Sequence, residues 1–397
     1  MTESYPSGPL EQSLVLGKTE SHPSYCKRVG IIGGGQLGRM LALAAHRMGI
    51  QTQILANHPQ ESAAQVSQAL IGSLEDPQLL AALAQGADVL TVENEWVDGT
   101  VLSAISQQYD IPIWPHPQTL TWIQDKYLQR EHLEKHDLPV PIFRRVETYA
   151  ELLAFAEAYG PTVVLKTRKQ GYDGQGTVIL RPDNDWEAIW KQFARQPLLV
   201  EQYIPFKREL AVLVARGPSA QIKSYPVVET QQVGEVCHTV LAPAAIPTAL
   251  QEQATQLAQA AVEAVQGVGI VAVELFQEAS GKLWINELAP RPHNSGHFTI
   301  EGCVTSQFEQ HVRAILHWPL GSTALVRPAA VMVNILGEVQ APATIDPSPL
   351  LALEDVHFHW YGKAARPGRK LGHITVLGDN LEAAYQRAWQ ARTLLKI

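Results

Sequence analysis

The 397-residue sequence predicts a mixed α/β and α+β protein, with a doubly wound parallel sheet first, α+β units after it and a β-rich C-terminal segment. Three observations carry this. Residues 28–60 run strand, glycine turn, helix, strand, the alternation of a parallel sheet covered by helices. From residue 162 onward, apolar strands flank short loops, 162–167 with 177–182 and 270–276 with 282–288. Beyond residue 326 the pattern is mostly β.

Composition narrows the class. The length suits about two to four domains. A hydrophobic share of 46% with 18% charged residues is ordinary for a globular protein, and the net charge of −8 argues against broad nucleic-acid binding. Cys26, Cys237 and Cys303 are too few and too scattered for a disulfide framework, which points to a reducing compartment. No apolar run approaches the roughly eighteen residues of a membrane span. Residues 1–27 are rich in Ser and Pro, and Leu14–Leu16 is too short for a signal-peptide core. They read as a disordered extension of a soluble, cytoplasmic protein.

The elements follow in order. RVGIIGGG (28–35) is a strand entering glycines, residues 36–49 are an amphipathic helix ending at Gly49, and 50–55 is the next strand. ADVLTVENE (87–95) is a strand ending in Glu93 and Glu95, and 111–117 is the last strand of this unit. Ligands of such a sheet sit beyond the carboxyl ends of its strands. A helical segment over 119–136 leads on to strands at 162–167 and 177–182 and a helix at 184–195. Further strands are expected at 197–205, 209–216 and 222–230, with helices at 248–267 and 305–318.

The run KLWINELAPRPHNSGH (282–297) is the most informative stretch. It ends a strand on a carboxylate and crowds Arg291, His293, Asn294, Ser295 and His297 into a loop stiffened by Pro290 and Pro292. A second acid, Glu274, lies in the preceding strand, across a five-residue turn at 277–281. If Phe276 faces Leu283, Glu274 faces Ile285, and Glu287 lies diagonally beyond on the same face. Such neighbours are roughly 7–8 Å apart, so a hard cation at about 2.0–2.1 Å from each carboxylate fits between them. A surface hairpin with two solvated acids is the plainer alternative. Asn286 alternates to the other face of a flat ladder, joining the site only if the strand twists or ends there. With no His or Cys at zinc spacing, magnesium or manganese is favoured.

Other motifs point to phosphates. Gly33–Gly38 (GGGQLG) can bring backbone close to an anion at a helix N-terminus. The second strand ends Leu55-Ala56-Asn57 without a ribose-binding acid, which disfavours a dinucleotide and leaves a smaller phosphate-bearing ligand. Gly171-Tyr172-Asp173-Gly174-Gln175-Gly176 reads as a mobile glycine-rich cover whose amides cradle phosphate oxygens, with Lys166 adding charge. The strand end Glu201-Gln202-Tyr203-Ile204 can offer backbone groups to an adenine edge, and Glu209 can accept from ribose hydroxyls. Arg366, Arg369 and Lys370 are either a solvated loop or a grip on a phosphate monoester.

In this order and spacing, GGGQLGRM, KTRKQGYDGQG, VEQYI, VELF, NELAPRPHNSGH, TSQFEQHVRAI and YGKAARPGRKLGH resemble the ATP-grasp superfamily. NELAPRPHNSGH and PGRKLGH narrow the likeness to the N5-carboxyaminoimidazole ribonucleotide synthetase family of purine biosynthesis, over residues 28–377. The resemblance implies an ATP-grasp fold: an N-terminal α/β domain (28–125), a small lid domain (126–205), a large domain (206–325) and a C-terminal β-rich domain (326–397). It implies ATP held by Lys126, Lys166, the 171–177 segment with Thr177, Glu201 to Ile204, and Glu209. Glu274 and Glu287 would hold Mg2+, with Asn286 alongside. Family members often carry a histidine near 232, where this chain has Gln232.

The implied reaction is ATP-dependent carboxylation of 5-aminoimidazole ribonucleotide by bicarbonate, through carboxyphosphate. Arg291 and His293 would hold the anion, with Asn294 and Ser295 beside them. Tyr172 and Asp173 would order the substrates, and Glu93 or Glu95 would line the cleft. Gln36 and Leu37 would contact the ribonucleotide, and Lys363, Arg369 and Lys370 its 5′-phosphate. A homodimer is the usual assembly where the resemblance points. Rival readings are a different ATP-grasp ligase, a nucleotide-binding oxidoreductase built on GGGQLG, and a non-catalytic binding protein.

Overall fold

The computed structural model describes residues 27–169, 176–234, 236–338 and 345–395. Residues 1–26, expected as an extension, lie outside them. Lys27, counted with that extension, is tied to the first sheet, its carbonyl accepting from Gln51 N at 3.0 Å.

The N-terminal unit alternates as expected: β1 (Arg28–Ile32), α1 (Gln36–Arg47), β2 (Gln51–Ala56), β3 (Gln68–Ile71), α2 (Pro77–Gln85), β4 (Val89–Val92), α3 (Gly99–Tyr109) and β5 (Ile113–Trp114). The strands form a parallel sheet in the order β3-β2-β1-β4-β5. The reversal of strand order at β1 and β4 puts the carboxyl ends of these strands at a cleft. The helical stretch expected at 119–136 is two helices, α4 (Pro117–Gln124) and α5 (Lys126–Glu134). Asp125 separates them because its side chain caps the second, accepting from Tyr127 and Leu128 backbone N–H.

A small antiparallel sheet, β6-β9-β7-β8, follows. It comprises β6 (Phe143–Val146), α6 (Tyr149–Tyr159), β7 (Val163–Thr167), β8 (Thr177–Leu180), α7 (Trp186–Phe193) and β9 (Leu198–Gln202). Helix α6, which the sequence reading passed over, starts with a capping box between Thr148 and Glu151.

The remaining strands build one nine-stranded sheet: β10 (Phe206–Arg216), β11 (Ile222–Ser224), β12 (Val228–Val233), β13 (Val236–Ala242), then after α8 (Thr248–Ala264) the hairpin β14 (Gly269–Glu278) and β15 (Leu283–Ala289). The strand expected over 222–230 is broken between β11 and β12, because Pro226 has no N–H for the ladder and Tyr225 turns into the core. Short α9 (Thr299–Gly302) and α10 (Gln307–Ile315) precede β16 (Ala329–Leu336), α11 (Ser348–Leu351), β17 (Val356–Trp360) and β18 (Lys370–Gly378). The order β15-β14-β10-β12-β13-β16-β18-β17 makes the C-terminal strands a continuation of the sheet that carries the acidic hairpin. The segment after 326, expected as mostly β, also closes with α12 (Leu381–Thr393), capped by Asn380 and burying Ala384, Ala388 and Ala391 at helical spacing.

Helix α8 covers one face of the large sheet through Leu210, Val212, Val271, Val273, Ile285 and Leu288. Against the other face lie Phe298 and Ala314, facing Ala211, Leu213 and Ala272. Helix α10 also packs on α1 through Phe308, Val312 and Ile315, so it is the joint between the first sheet and the large one.

Fully buried His311 on α10 pins that joint. Its Nδ1 accepts from Ile270 N at 3.0 Å, so its proton sits on Nε2, 2.9 Å from Thr91 Oγ1 on β4. Burial pushes its pKa down from 6.5 to about 3. The unfolded chain therefore binds a proton that the folded one refuses between those values, so this histidine makes stability fall as pH drops from 6.5 toward 3. We expect His311→Gln to flatten that dependence, read as the urea midpoint against pH. An unchanged slope would mean the ring does not stay neutral on folding.

Candidate active site

The hairpin β14–β15 brings the two predicted acids together in a register different from the expected one. Glu274 stands directly opposite Glu287 and Leu275 opposite Ile285, so Asn286 is an extra residue in β15, a bulge. Phe276 faces Trp284 rather than Leu283. The core dictates this. Leu283, Ile285 and Leu288 all pack under α8, and residues 285 and 288 share a face only if one residue between them drops out of the alternation. Ile285 thus lies on the face opposite the acids. The bulge also turns Asn286 toward them, its Nδ2 donating to Glu274 Oε2 at 3.3 Å.

Two carboxylates face to face are costly unless cations compensate. Burial and then the Glu287 charge push the Glu274 carboxyl up to about 7. Glu287 goes the other way: burial raises it, but Lys126, 2.6 Å away, outweighs that and holds it below the usual range. Lys126 reaches it from the first turn of α5, whose cap Asp125 also pairs with Arg168 at 2.6 and 2.9 Å. One turn on, buried Arg130 donates Nε to Glu201 Oε1 at 2.7 Å. Lys166 on β7 takes the other oxygen at 2.7 Å and lies 3.5 Å from Asn286 Oδ1. Burial raises Glu201, but Arg130 and Lys166 outweigh it and hold it at about 2. Glu201, expected at the nucleotide, therefore turns its side chain inward as the counter-ion that fixes Lys166.

The loop after β15, expected to hold an anion, forms a corner around Arg291 and His293. Arg291 pairs with Glu95 through both Nε and Nη2, the latter at 3.0 Å, and Nη1 donates to Pro292 O. Both residues were expected to face substrate. Among the described residues, three of the five guanidinium N–H groups are thereby engaged and two remain open to a further acceptor. His293 Nδ1 accepts from Ser295 N at 3.3 Å, so its proton sits on Nε2, 3.5 Å from Glu274 Oε1. Burial, then Arg291 and Lys370, lower its pKa to about 3, which makes it a neutral donor. Ser295 is buried against His293 Nδ1, and Asn294 exchanges amide hydrogen bonds with Asn334 at 2.7 and 2.9 Å. Lys370, at the start of β18, is close enough to influence both Glu274 and His293. Arg369 Nη1 donates to Ala364 O at 3.1 Å.

At the edge of the first sheet, the glycine turn holds an anion from within the protein. Glu93 accepts from Gly35 N at 2.8 Å and Gly38 N at 2.7 Å, taking the place at the start of α1 where a phosphate was expected. A Cβ at Gly35 would lie 2.3 Å from Glu93 Oε1, so a side chain there would displace the carboxylate from its place on the turn. Leu37, expected to touch substrate, has its side chain in the core. Gln36 Oε1 accepts from Lys363 Nζ, which joins the C-terminal loop to this edge.

At the end of β9, where a nucleotide was expected, Gln202 N donates to Ile142 O and Ile204 O accepts from Phe206 N, so these two groups are engaged internally, with Tyr203 between them. Thr177 pairs with Lys166 across β7 and β8, and Gly176 O accepts from Thr167 N at 2.7 Å. Glu209 shares the sheet face of Glu274, and Gln232 Nε2 donates to it at 2.8 Å. Gly171, Tyr172, Asp173, Gly174 and Gln175 lie outside the described residues.

Three family models cover the chain in order: a ribonucleotide synthetase preATP-grasp domain (26–124), an ATP-grasp domain (131–308) and a phosphoribosylaminoimidazole carboxylase C-terminal domain (330–387). The N5-carboxyaminoimidazole ribonucleotide synthase of Synechococcus elongatus is 42% identical over 373 residues, 93% of this chain and 94% of that protein. This chain belongs to the N5-carboxyaminoimidazole ribonucleotide synthase family. The Mycobacterium bovis synthase is 41% identical, covering 91% of this chain and 86% of its own length. Among solved structures, the Thermotoga maritima synthetase superposes with a TM-score of 0.84 at 40% identity, covering 93% of this chain and 99% of that one. The Aspergillus clavatus synthase, in complex with ADP and 5-aminoimidazole ribonucleotide, gives 0.86 at 35%, with the same coverage.

Within this synthase frame, the sequence reading missed Asp125, Arg130 and Asn334. A cap-type residue before α5 and an arginine one turn after Lys126 were available signals for the first two. Asn334, in an apolar strand, had none. Because Glu201 is buried between two cations, we expect Glu201→Ala to leave them uncompensated and to lower stability by about 3–5 kcal/mol, measured by urea unfolding at pH 7. A loss within error would mean the triad is solvated.

Proposed function

We propose that this protein catalyses the ATP- and bicarbonate-dependent carboxylation of 5-aminoimidazole ribonucleotide to the N5-carboxylated product, in purine biosynthesis. The pairing of Glu274 with Glu287 beside the Arg291–His293 corner carries the reading. These acids and Asn286 offer only oxygen donors, and the charge they concentrate suits a hard cation, Mg2+ or Mn2+. When bound, such an ion neutralises the phosphate charge that builds up during transfer.

The chain's own groups supply the rest. Lys166, oriented by Glu201, and Lys126 meet the phosphates, and Glu209 with Gln232 takes the ribose. Bicarbonate sits on His293 Nε2–H and the remaining N–H groups of Arg291, with Asn294 and Ser295 shaping that loop. A bicarbonate oxygen attacks the γ-phosphorus while the bond to the ADP oxygen breaks, giving carboxyphosphate. Carboxyphosphate releases CO2 and phosphate, and the amine nitrogen bonds to the carbon. The amine proton passes to Asp173 or to the released phosphate. Tyr172, Asp173 and the 171–176 cover exclude the water that would destroy carboxyphosphate. Gln36, Lys363, Arg369 and Lys370 hold the ribonucleotide. Glu93 and Glu95 serve from behind, as anchors of the glycine turn and of Arg291. The cytoplasmic setting rests on the few, scattered cysteines, and the homodimer on family likeness.

We expect Glu287→Gln to cut bicarbonate-dependent ADP formation by roughly a hundredfold or more with the melting temperature preserved. Wild-type turnover would overturn the metal assignment. Lys370→Ala should raise the KM for the ribonucleotide by about tenfold or more and leave that for ATP nearly unchanged. An unaltered ribonucleotide KM would clear Lys370 of phosphate binding.

A further inference from the structure

Gln307, the first residue of α10, is 0% exposed, although the helix it opens is amphipathic and a polar residue there reads as solvated. Its Oε1 accepts from His293 N at 2.9 Å, and its Nε2 donates to His293 O at 2.8 Å. A backbone N–H can only donate and a carbonyl only accept, so the main chain itself fixes the orientation of this amide. The same Nε2 lies 2.9 Å from His297 Nδ1. That nitrogen must therefore accept, and the His297 proton sits on Nε2. Gln307 N also donates to Thr299 Oγ1 at 2.9 Å, and that hydroxyl donates to Gly296 O at 2.6 Å. A Cβ on Gly296 would lie 2.6 Å from Gln307 Oε1, so a glycine is required for the loop to close over the amide.

We infer that Gln307 is a positioning residue for the anion corner, its single amide fixing the His293 backbone and the His297 tautomer and, through them, the aim of the His293 Nε2–H. The inference rests on the proposed role of His293 toward bicarbonate. Gln307 touches no substrate in this reading, and it reaches the corner from α10, the helix that also joins the first sheet to the large one.

Gln307→Glu tests it. The variant keeps the size and one acceptor but replaces the donor with an oxygen facing His293 O and His297 Nδ1. In the full-length wild type, nitrogen-15 ring shifts should report His297 protonated on Nε2 alone. In the variant the Nδ1 of His297 should become protonated. The KM for bicarbonate should rise about tenfold or more while the KM for ATP stays within about twofold. His293→Ala is measured alongside. If His293→Ala raises the bicarbonate KM and a folded Gln307→Glu does not, the inference fails and the reading of the corner stands. If His293→Ala leaves that KM unchanged, the reading of the corner fails and the inference with it. Should Gln307→Glu not fold, the wild-type spectrum still decides, since a His297 proton on Nδ1 would overturn the inference.

Discussion

Two like charges set on adjacent strands are the constraint to which the rest of this site responds. Glu274 and Glu287 face each other because Leu283, Ile285 and Leu288 must all reach the core beneath α8, which forces one residue out of the ladder. That residue, Asn286, then becomes a polar bridge between the hairpin and Lys166. Lys126 quiets one acid of the pair and leaves the other with a raised proton affinity. An apolar requirement on one face of a sheet thus creates an electrostatic demand on the other.

The other acids of the cleft meet the same problem with partners built in. Glu93 is held by two backbone N–H groups at a helix start, Glu95 by a guanidinium fork, and Glu201 by a buried arginine and lysine. Each of these pairings also positions something: the glycine turn, Arg291 in the loop after β15, and Lys166. Carboxylates that look alike in the sequence separate into scaffold and chemistry once their partners are known.

Much of this was legible beforehand. The parallel sheet followed from strand–glycine–helix alternation, and the acid pair from two carboxylates in neighbouring apolar strands. Motif order supplied the family. The misses have physical reasons. A bulge is invisible to strict alternation unless core positions are counted, as residues 285 and 288 would have allowed. The glycine turn advertises an anion site without saying that the anion comes from Glu93, 58 positions away. Helix α12 and the buried Gln307 depend on what packs over them, and a strand of moderate length such as 222–230 conceals its break at Pro226 until the core claims Tyr225.

One sheet carries both the acidic hairpin and the strand that begins at Lys370, whereas Lys166 and Glu201 belong to a separate, smaller one. The spacing between the paired glutamates and Lys370 is therefore set by a continuous hydrogen-bonded ladder. The large sheet works as a ruler: it fixes the distance between the glutamate pair and the start of β18, so a molecule that bridged the two would have to match that length.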